Sequence, residues 1–163
     1  MINSHDNWNV RTKIYNELVK INDIECPGKL FNNTSNEKLN SVGKSIYLND
    51  FLFNVCSENS LSDEIKGYIT EKIADSCLSG SIPIFCGYFD KEDEKIFNKN
   101  RIIFYDYKSE KSIKKAIDKI NFLLNNTNEL IKFYKQNPFE NTAGDKLNEL
   151  ILTINEKINT DIK

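Results

Sequence analysis

The densest group of chemically capable side chains lies in the stretch NVCSENSLSDEIKGYITEK, residues 54–72. A carboxylate stands beside an amide, and an aromatic hydroxyl, a second hydroxyl, a second carboxylate and an ammonium follow after a short gap. These residues are Glu58, Asn59, Tyr68, Thr70, Glu71 and Lys72. Polar groups packed this closely between an apolar strand and an apolar helix are costly to bury without partners. One interpretation is therefore a ligand-binding site.

A second interpretation needs no ligand. Thr70 can act as the N-cap of the following helix, and Glu71 in the first turn favours the positive end of the helix dipole. This explanation gives no reason for Glu58 and Asn59 at a strand end, or for Tyr68 before the cap. From these residue types alone, both interpretations stay open.

The surrounding pattern alternates between helices and buried strands. Apolar residues at helical spacing predict an amphipathic helix over 9–22, and residues 26–45 have the composition of a long polar loop. The further predicted elements are a strand within 46–56, a helix from Thr70 to a stop at Gly80, strands at 81–87 and 101–106, a helix or helix pair over 109–136 broken near 125–128, and a last helix over 145–158.

Such alternation predicts an α/β fold, with a parallel sheet covered by helices on both faces. Ligands of these folds bind at the carboxyl ends of the strands, where loops lead into helices. The polar stretch described above lies at one of these ends. Its position is one at which such folds bind ligands, and both interpretations stay open at this point.

Length and composition restrict the function classes. The 163 residues are predicted to form one domain, and 22 basic against 24 acidic residues give a net charge of −2. This balance argues against a nucleic-acid partner. The sequence contains no apolar run of about 18 residues, so no membrane span is predicted. Because the amino-terminal residues resemble no signal peptide, we expect a cytoplasmic protein.

The cysteines and acidic residues show no spacing typical of a metal site. The four cysteines include no C-x-x-C pair and are predicted to be buried, reduced thiols; they are Cys26, Cys56, Cys77 and Cys86. We expect neither a metal nor another cofactor.

Two smaller motifs have a simpler explanation. The tetrapeptide VGKS at residues 42–45 resembles the end of a P-loop, but Lys38 occupies the position of the required first glycine. His5 beside Asp6 could form a general base with its orienting partner. A plain turn and a solvated histidine are the favoured interpretations.

Taken in order, the pieces of the polar stretch and of the following strand resemble the core signature of the family 10 glycosyltransferases, the α1,3/α1,4-fucosyltransferases. The matching residues are Phe53, Glu58, Asn59, Tyr68, Thr70, Glu71, Lys72, Ile82, Pro83 and Gly87. Upstream, VRTKIYNEL is similar to the family's helix that begins with a donor-contacting arginine, which falls on Arg11. Downstream, YKQNPFENTAGDKL is similar to the segment that closes this domain in bacterial members.

The resemblance implies a Rossmann-like donor-binding domain, similar to the C-terminal half of a GT-B glycosyltransferase. It also implies GDP-fucose as the donor and inverting transfer of fucose to a glycan acceptor. Arg11 and Lys72 would contact the pyrophosphate, and Glu71 would accept from ribose or sugar hydroxyls. Asn59 and Tyr68 would hydrogen-bond the nucleotide or the fucose. Thr70 would shape the loop, and Glu58 completes the donor-binding set.

Three departures from the family pattern affect this reading. Residues 60–67 form a longer segment than in bacterial members, so we expect a rebuilt loop over the donor. The cysteine pairs of animal members are missing. The family's amino-terminal acceptor domain, which carries the carboxylate general base, has no counterpart in residues 1–163. We therefore identify no catalytic residue here and expect the base and the acceptor surface on another chain or another part of the protein.

Three functions consequently remain open. The first is a fucosyltransferase completed by such a partner, and the second is a catalytically silent module that binds GDP or a nucleotide sugar. The third is an interaction protein that kept only the fold and binds no nucleotide.

Overall fold

A three-stranded parallel sheet forms the centre of the computed structural model, which describes residues 1–61 and 67–161, with side chains described as far as residue 155. The strands are β1 (Phe53–Val55), β2 (Ile82–Phe85) and β3 (Ile103–Phe104), and they lie in the order β1-β2-β3. In this register Phe53 lies opposite Ile82, and Ile84 lies opposite Ile103. All described carboxyl ends therefore point to the same edge of the sheet.

The described ranges contain seven α-helices. They are α1 (Val10–Leu18), α2 (Glu37–Val42), α3 (Lys44–Leu48), α4 (Glu71–Leu78), α5 (Glu110–Asn125), α6 (Thr127–Tyr134) and α7 (Ala143–Asp161). Three short 3₁₀ segments cover Asn7–Asn9, Asp93–Lys95 and Lys99–Arg101. None of the described helices combines the length and the apolar character that a membrane crossing requires.

The two faces of the sheet bury different helices. On one face, Ile84 and Ile103 pack with the apolar side of α1 and with a buried stripe on α5, formed by Ile113, Ala116, Ile120 and Leu123. On the other face, Phe85 packs with Ile73 and Cys77 of α4. Each fully buried aliphatic side chain of this kind contributes about 1.5–3 kcal/mol relative to an exposed one. Packing on this scale fixes α1 and α4 against the sheet, and these two helices carry the site described below.

The predicted α/β alternation is present, with differences in detail. α4 joins β1 to β2, whereas the charged segment between β2 and β3 contains only 3₁₀ turns and buries Phe97 and Arg101. Within the stretch predicted to be a polar loop and the start of a strand, the chain forms α2 and α3. These helices are too short to show apolar periodicity, which explains why the sequence pattern did not reveal them. The four cysteines are free and buried, as predicted.

Candidate functional site

The segment that leaves β1, Ser57–Asn59, is held at the carboxyl edge of the sheet. The Cys56 N–H donates to the Ile84 carbonyl, and the Glu58 N–H donates to the Cys86 carbonyl at 2.9 Å, so the β1–β2 ladder continues past the strand ends. The Ser57 hydroxyl and the Tyr105 hydroxyl hydrogen-bond each other, and the Tyr105 hydroxyl also donates to the Val10 carbonyl at 3.2 Å. These contacts join the end of β1, the end of β3 and the start of α1.

Glu58 lies at the centre of the site and is 1% exposed. Its Oε1 accepts from the Thr70 backbone N–H at 2.8 Å, and its Oε2 accepts from the Thr70 hydroxyl at 2.7 Å. The Lys72 ammonium lies 3.2 Å from the same Oε2. A buried carboxylate needs such a set of donors and a counter-charge to offset its lost hydration. In this conformation Glu58 therefore holds the start of α4 and does not face a ligand.

These contacts correct the predicted role of Thr70 as a side-chain cap. Thr70 occupies the N-cap position of α4, but its hydroxyl makes no capping hydrogen bond to that helix. Its Oγ1 instead accepts from the Lys72 ammonium at 2.8 Å and donates to Glu58. The competing partner comes from a segment twelve residues earlier, which a local capping pattern cannot show.

Gly87 is required by the same close packing. A Cβ atom placed on Gly87 would lie 2.4 Å from Cζ of the Phe85 ring and 3.0 Å from Cγ of Glu58. No side chain fits in that space, so the glycine allows the β2 end to approach Glu58.

Arg11 approaches the Ser57–Asn59 segment from the side of α1. Its Nη2 donates to the Ser57 carbonyl and to Oδ1 of Asn59, both at 2.7 Å, and its Nη1 donates to the His5 carbonyl at 2.6 Å. The guanidinium is 1% exposed, and its Nε finds no hydrogen-bond partner among the described residues. Burial lowers the pKa of Arg11, partly countered by the nearby carboxylate of Asp6. The group remains cationic at neutral pH.

Asp6 positions Arg11 through the backbone. Its Oδ1 accepts from the Arg11 N–H and its Oδ2 from the Thr12 N–H, each at 2.8 Å, which satisfies free donors at the start of α1. Both oxygens of Asp6 are therefore used by the helix. The described contacts of Asp6 do not include the His5 imidazole, and His5 is exposed, in agreement with the favoured interpretation of a solvated histidine.

A row of alternating charges lines the start of α4. The Lys44 ammonium lies 2.8 Å from Oδ2 of Asp75 and 3.6 Å from Oε1 of Glu71, and Oε1 of Glu71 lies 3.9 Å from the Lys72 ammonium. Partial burial raises the pKa of Glu71, but its own backbone N–H and the ammonium groups of Lys72 and Lys44 outweigh this effect. The pKa of Glu71 is consequently below its ordinary value.

The structure brings six of the seven residues of the predicted site onto one edge. Arg11, Glu58, Asn59, Thr70 and Lys72 share the contacts described above, and Glu71 adjoins Lys72. The seventh, Tyr68, is half-buried just before α4, and the described contacts assign it no partner. Most of the segment predicted to rebuild the donor loop, residues 62–66, lies outside the described residues.

Sequence reasoning missed several residues of this arrangement. Lys44, Ser57 and Tyr105 all contact it, and they reach partners 27 to 95 residues distant in sequence. Asp6, considered from the sequence only as a partner of His5, also contacts it. Lys44 belongs to the VGKS tetrapeptide, whose interpretation as a plain turn overlooked its ion pairs. In the described ranges no three His, Cys, Asp or Glu side chains are grouped as metal ligands.

A cavity of about 200 Å³ opens at the opposite edge of the sheet, where Leu52 and Phe53 enter β1. Its walls are mainly aliphatic, and the cations described above do not line it. The chemistry is therefore concentrated at the carboxyl edge.

Comparison with known proteins places this arrangement in a family. The family model described as "Glycosyltransferase family 10 (fucosyltransferase) C-term" matches residues 1–150. The alpha-(1,3)-fucosyltransferase FucT of Helicobacter pylori is 30% identical over 142 residues, which are 86% of this chain and 27% of that protein. The 4-galactosyl-N-acetylglucosaminide 3-alpha-L-fucosyltransferase 9 of Homo sapiens is 37% identical over 84 residues, which are 50% of this chain and 21% of that protein.

Solved structures agree with the sequence matches. A crystal structure of an α1,3-fucosyltransferase with GDP-fucose has a TM-score of 0.67 and 28% identity, covering 84% of this chain and 38% of that one. A structure of an α1,3-fucosyltransferase with GDP has a TM-score of 0.68 and 26% identity, covering 90% of this chain and 43% of that one.

The chain thus spans about a quarter of the length of the H. pylori relative. The predicted fold class, a Rossmann-like parallel sheet similar to the C-terminal half of a GT-B glycosyltransferase, is confirmed by these structures. The chain belongs to glycosyltransferase family 10, the fucosyltransferases, and corresponds to the C-terminal part of its members.

Proposed function

We propose that this chain binds GDP-fucose at the carboxyl edge of its sheet and supplies the donor site for inverting transfer of fucose to a glycan acceptor. The observation that carries the proposal is the approach of two cations to one short segment. Arg11 reaches Ser57 and Asn59 from α1, and Lys72 reaches Glu58 from α4. The similarity to structures that contain GDP-fucose and GDP supports the choice of ligand.

Lys72 has the chemistry that a diphosphate requires. An ammonium has three donors, and here two of them serve Glu58 and Thr70. The side chain is 13% exposed, so the remaining donor can meet a phosphate oxygen from the solvent side. The N-terminus of α4 adds its positive dipole end at the same place. Charge-assisted hydrogen bonds of this type contribute about 1.5–3 kcal/mol each.

Arg11 would take part in a different way. Three of its five N–H donors are used, and one of their acceptors is the side-chain oxygen of Asn59, an exposed residue. An incoming phosphate oxygen can replace that amide oxygen and free Asn59 to bind the nucleotide or the fucose. Direct contact between Arg11 and the pyrophosphate is thus a proposal that includes a rearrangement of Asn59.

The same cations would assist the reaction itself. In an inverting displacement at the anomeric carbon, the bond to GDP breaks as the acceptor oxygen attacks, and negative charge builds on the departing diphosphate. Fixed positive groups aimed at that charge lower the barrier without reorganisation. Lys72 and the start of α4 would provide such groups.

The general base is expected outside these residues. Within the described site Glu58 is fully paired, and Glu71 lies between two ammonium groups, so neither carboxylate is suited to accept a proton from an acceptor hydroxyl. A base typically contributes about 10²–10⁴-fold to the rate. We propose that the base and the glycan-binding surface come from another domain or another chain. The same observation favours, as a second candidate, a module that binds GDP or the nucleotide sugar without catalysing transfer.

Thermal denaturation with GDP, GDP-fucose and guanosine tests donor binding. At 100 times the dissociation constant, a ligand of the native state adds about 2.7 kcal/mol, which raises the Tm by roughly 5–11 °C for a chain of this size. We expect this shift with GDP and GDP-fucose and a much smaller one with guanosine, which lacks the diphosphate. Equal Tm values with and without GDP would favour the third function considered above, an interaction protein that kept only the fold and binds no nucleotide.

An assay of GDP release then separates the two nucleotide-binding candidates. If an acceptor that contains galactose or N-acetylglucosamine accelerates the release of GDP from GDP-fucose, the result would support the transferase. Binding without any release would support the silent module.

A further inference from the structure

Lys44 occupies a defined position beside the proposed diphosphate site, although the family signature above does not include it. Its ammonium lies at hydrogen-bonding distance, 2.8 Å, from Asp75 on the second turn of α4. Both side chains are largely shielded, at 30% and 20% exposure. Lys44 is the first residue of α3, so its backbone is held in place by that helix. The location of this cation is therefore determined by two elements.

Glu71 is placed between this cation and Lys72. Its Oε1 lies 3.6 Å from the Lys44 ammonium and 3.9 Å from the Lys72 ammonium, and its side chain is 63% exposed. A carboxylate that is this exposed can turn toward either partner at little cost. Among the described residues, removal of Lys44 leaves Lys72 as the one ammonium within 4 Å of Glu71.

We propose that Lys44 is a positioning residue of the donor site: it holds the Glu71 carboxylate off Lys72 and keeps that ammonium available for the diphosphate of the nucleotide sugar. The inference rests on the proposed function. Without Lys44, Glu71 neutralises Lys72, and the diphosphate must first break that pair. With Lys44 present, the carboxylate of Glu71 also stays beside the start of α4, where it can accept hydrogen bonds from hydroxyl groups of the same ligand.

The positioning role makes a prediction that a direct phosphate contact does not. If Lys44 acts through Glu71, its removal has no effect once Glu71 has lost its charge. If Lys44 touches the phosphate itself, its removal weakens binding whether or not Glu71 is charged. A double-mutant cycle between Lys44 and Glu71 separates these mechanisms.

Isothermal titration with GDP at fixed ionic strength provides the test. We expect Lys44→Ala to weaken GDP binding about threefold to fivefold, the range of a partly exposed ion pair. Lys44→Arg should remain within about twofold of wild type, since the positive charge stays between Asp75 and Glu71. In a Glu71→Gln background, adding Lys44→Ala should change the affinity by less than about twofold.

Lys38→Ala is the matched control. Lys38 lies on the neighbouring helix α2 and pairs with the exposed Asp50, so its removal deletes the same charge without touching α4. We expect wild-type affinity from this variant. Far-ultraviolet circular dichroism and the Tm establish that each variant is folded at the temperature of the titration.

The outcomes separate the two proposals. Lys44→Ala binding GDP as wild type does would overturn the positioning role and leave the proposed function intact. An equal loss in the wild-type and Glu71→Gln backgrounds would also overturn it, in favour of direct contact. No GDP binding by the wild-type protein would overturn both.

Discussion

Arg11 and Arg101 are both almost completely buried, with exposures of 1% and 2%, yet they differ in what surrounds them. Arg101 donates through Nε, Nη1 and Nη2 to three backbone carbonyls, those of Tyr134, Ser81 and Gly80. Its guanidinium also lies 5.1 Å from the centre of the Tyr134 ring. Arg11 shares one nitrogen between a carbonyl and the exposed amide of Asn59, and its Nε has no partner in the described residues.

The difference indicates what each arginine does. Backbone carbonyls are fixed acceptors, so Arg101 joins the turn after α4 to the end of α6, and each of its three nitrogens is bonded to such an acceptor. Arg11 also uses three of its five donors, but one of its acceptors is the amide of the exposed Asn59, which can move. Burial lowers the pKa of both groups, but both stay cationic, so charge alone does not distinguish them. The identity of the acceptors separates a structural arginine from one suited to bind an anion.

The largest expected effect on stability tests the structural half of this comparison. Arg101→Ala leaves three carbonyls without their donor and should destabilise the protein by about 3 kcal/mol. For a chain of this size the Tm then falls by roughly 6–12 °C. Differential scanning calorimetry measures this loss. At a temperature where the variant is folded, its GDP affinity should stay within about twofold of wild type, and a larger loss of affinity would assign Arg101 to the site.

Glu58 extends the comparison to buried carboxylates. Glu58→Gln keeps the shape of the side chain but puts an amide where a carboxylate oxygen accepts from Thr70 and Lys72. We expect the free energy of unfolding to fall by about 2 kcal/mol. Urea denaturation measures the change. Glu17→Gln is the control because Glu17 pairs with Lys20 at an exposed position. If both variants had the same stability, the network around Glu58 would not hold the start of α4.

Arg11→Ala tests the other half of the comparison. We expect GDP affinity to fall at least tenfold, equivalent to about 1.4 kcal/mol, because a charge-assisted hydrogen bond to a phosphate oxygen is lost. The loss of stability should be smaller than for Arg101→Ala, since water can reach the exposed residues His5 and Asn59 and replace two of the lost donors. Isothermal titration and calorimetry on the same samples measure both quantities. A variant with unchanged GDP affinity and a Tm as low as that of Arg101→Ala would make Arg11 purely structural.

The smallest effect is expected from an exposed carboxylate that is not part of the site. Hydrogen bonds from Lys95 and Lys146 lower the pKa of Glu92 from 4.5 to about 2. A depressed pKa stabilises the folded state above the unfolded pKa, and this contribution is lost as the pH falls. The small Tm difference between wild type and Glu92→Gln should therefore be constant above about pH 5 and shrink between pH 4.5 and 2. A difference that grew toward pH 2 would contradict the ion pairs.

Much of the fold could be predicted from the sequence because its signals are local. The apolar spacing from Ile113 to Leu123 predicts α5, and the polar break near Asn126 separates it from α6. Gly80, which ends α4 as predicted, has a φ of +80° that favours glycine. By contrast, Ile46–Leu48 lies within the segment 46–56 where the pattern predicts a strand, but it belongs to the short helix α3.

The candidate site was predictable only as a set of residues. The order of the matched pieces indicates which side chains matter, and six of them do lie together. The partners of these side chains come from distant parts of the sequence, as in the contacts of Lys44 with Asp75 and of Arg11 with Ser57. Local spacing contains no information on such contacts. For this reason the sequence predicted a helix cap for Thr70, whereas the Thr70 hydroxyl pairs with Glu58.

We propose above that Lys72 and the start of α4 hold the diphosphate of the donor. Calorimetric titration of wild type and Lys72→Ala with GDP, at one ionic strength, tests this most directly. We expect Lys72→Ala to bind GDP at least tenfold more weakly than wild type while it remains folded. Equal affinities for the two folded proteins would contradict it.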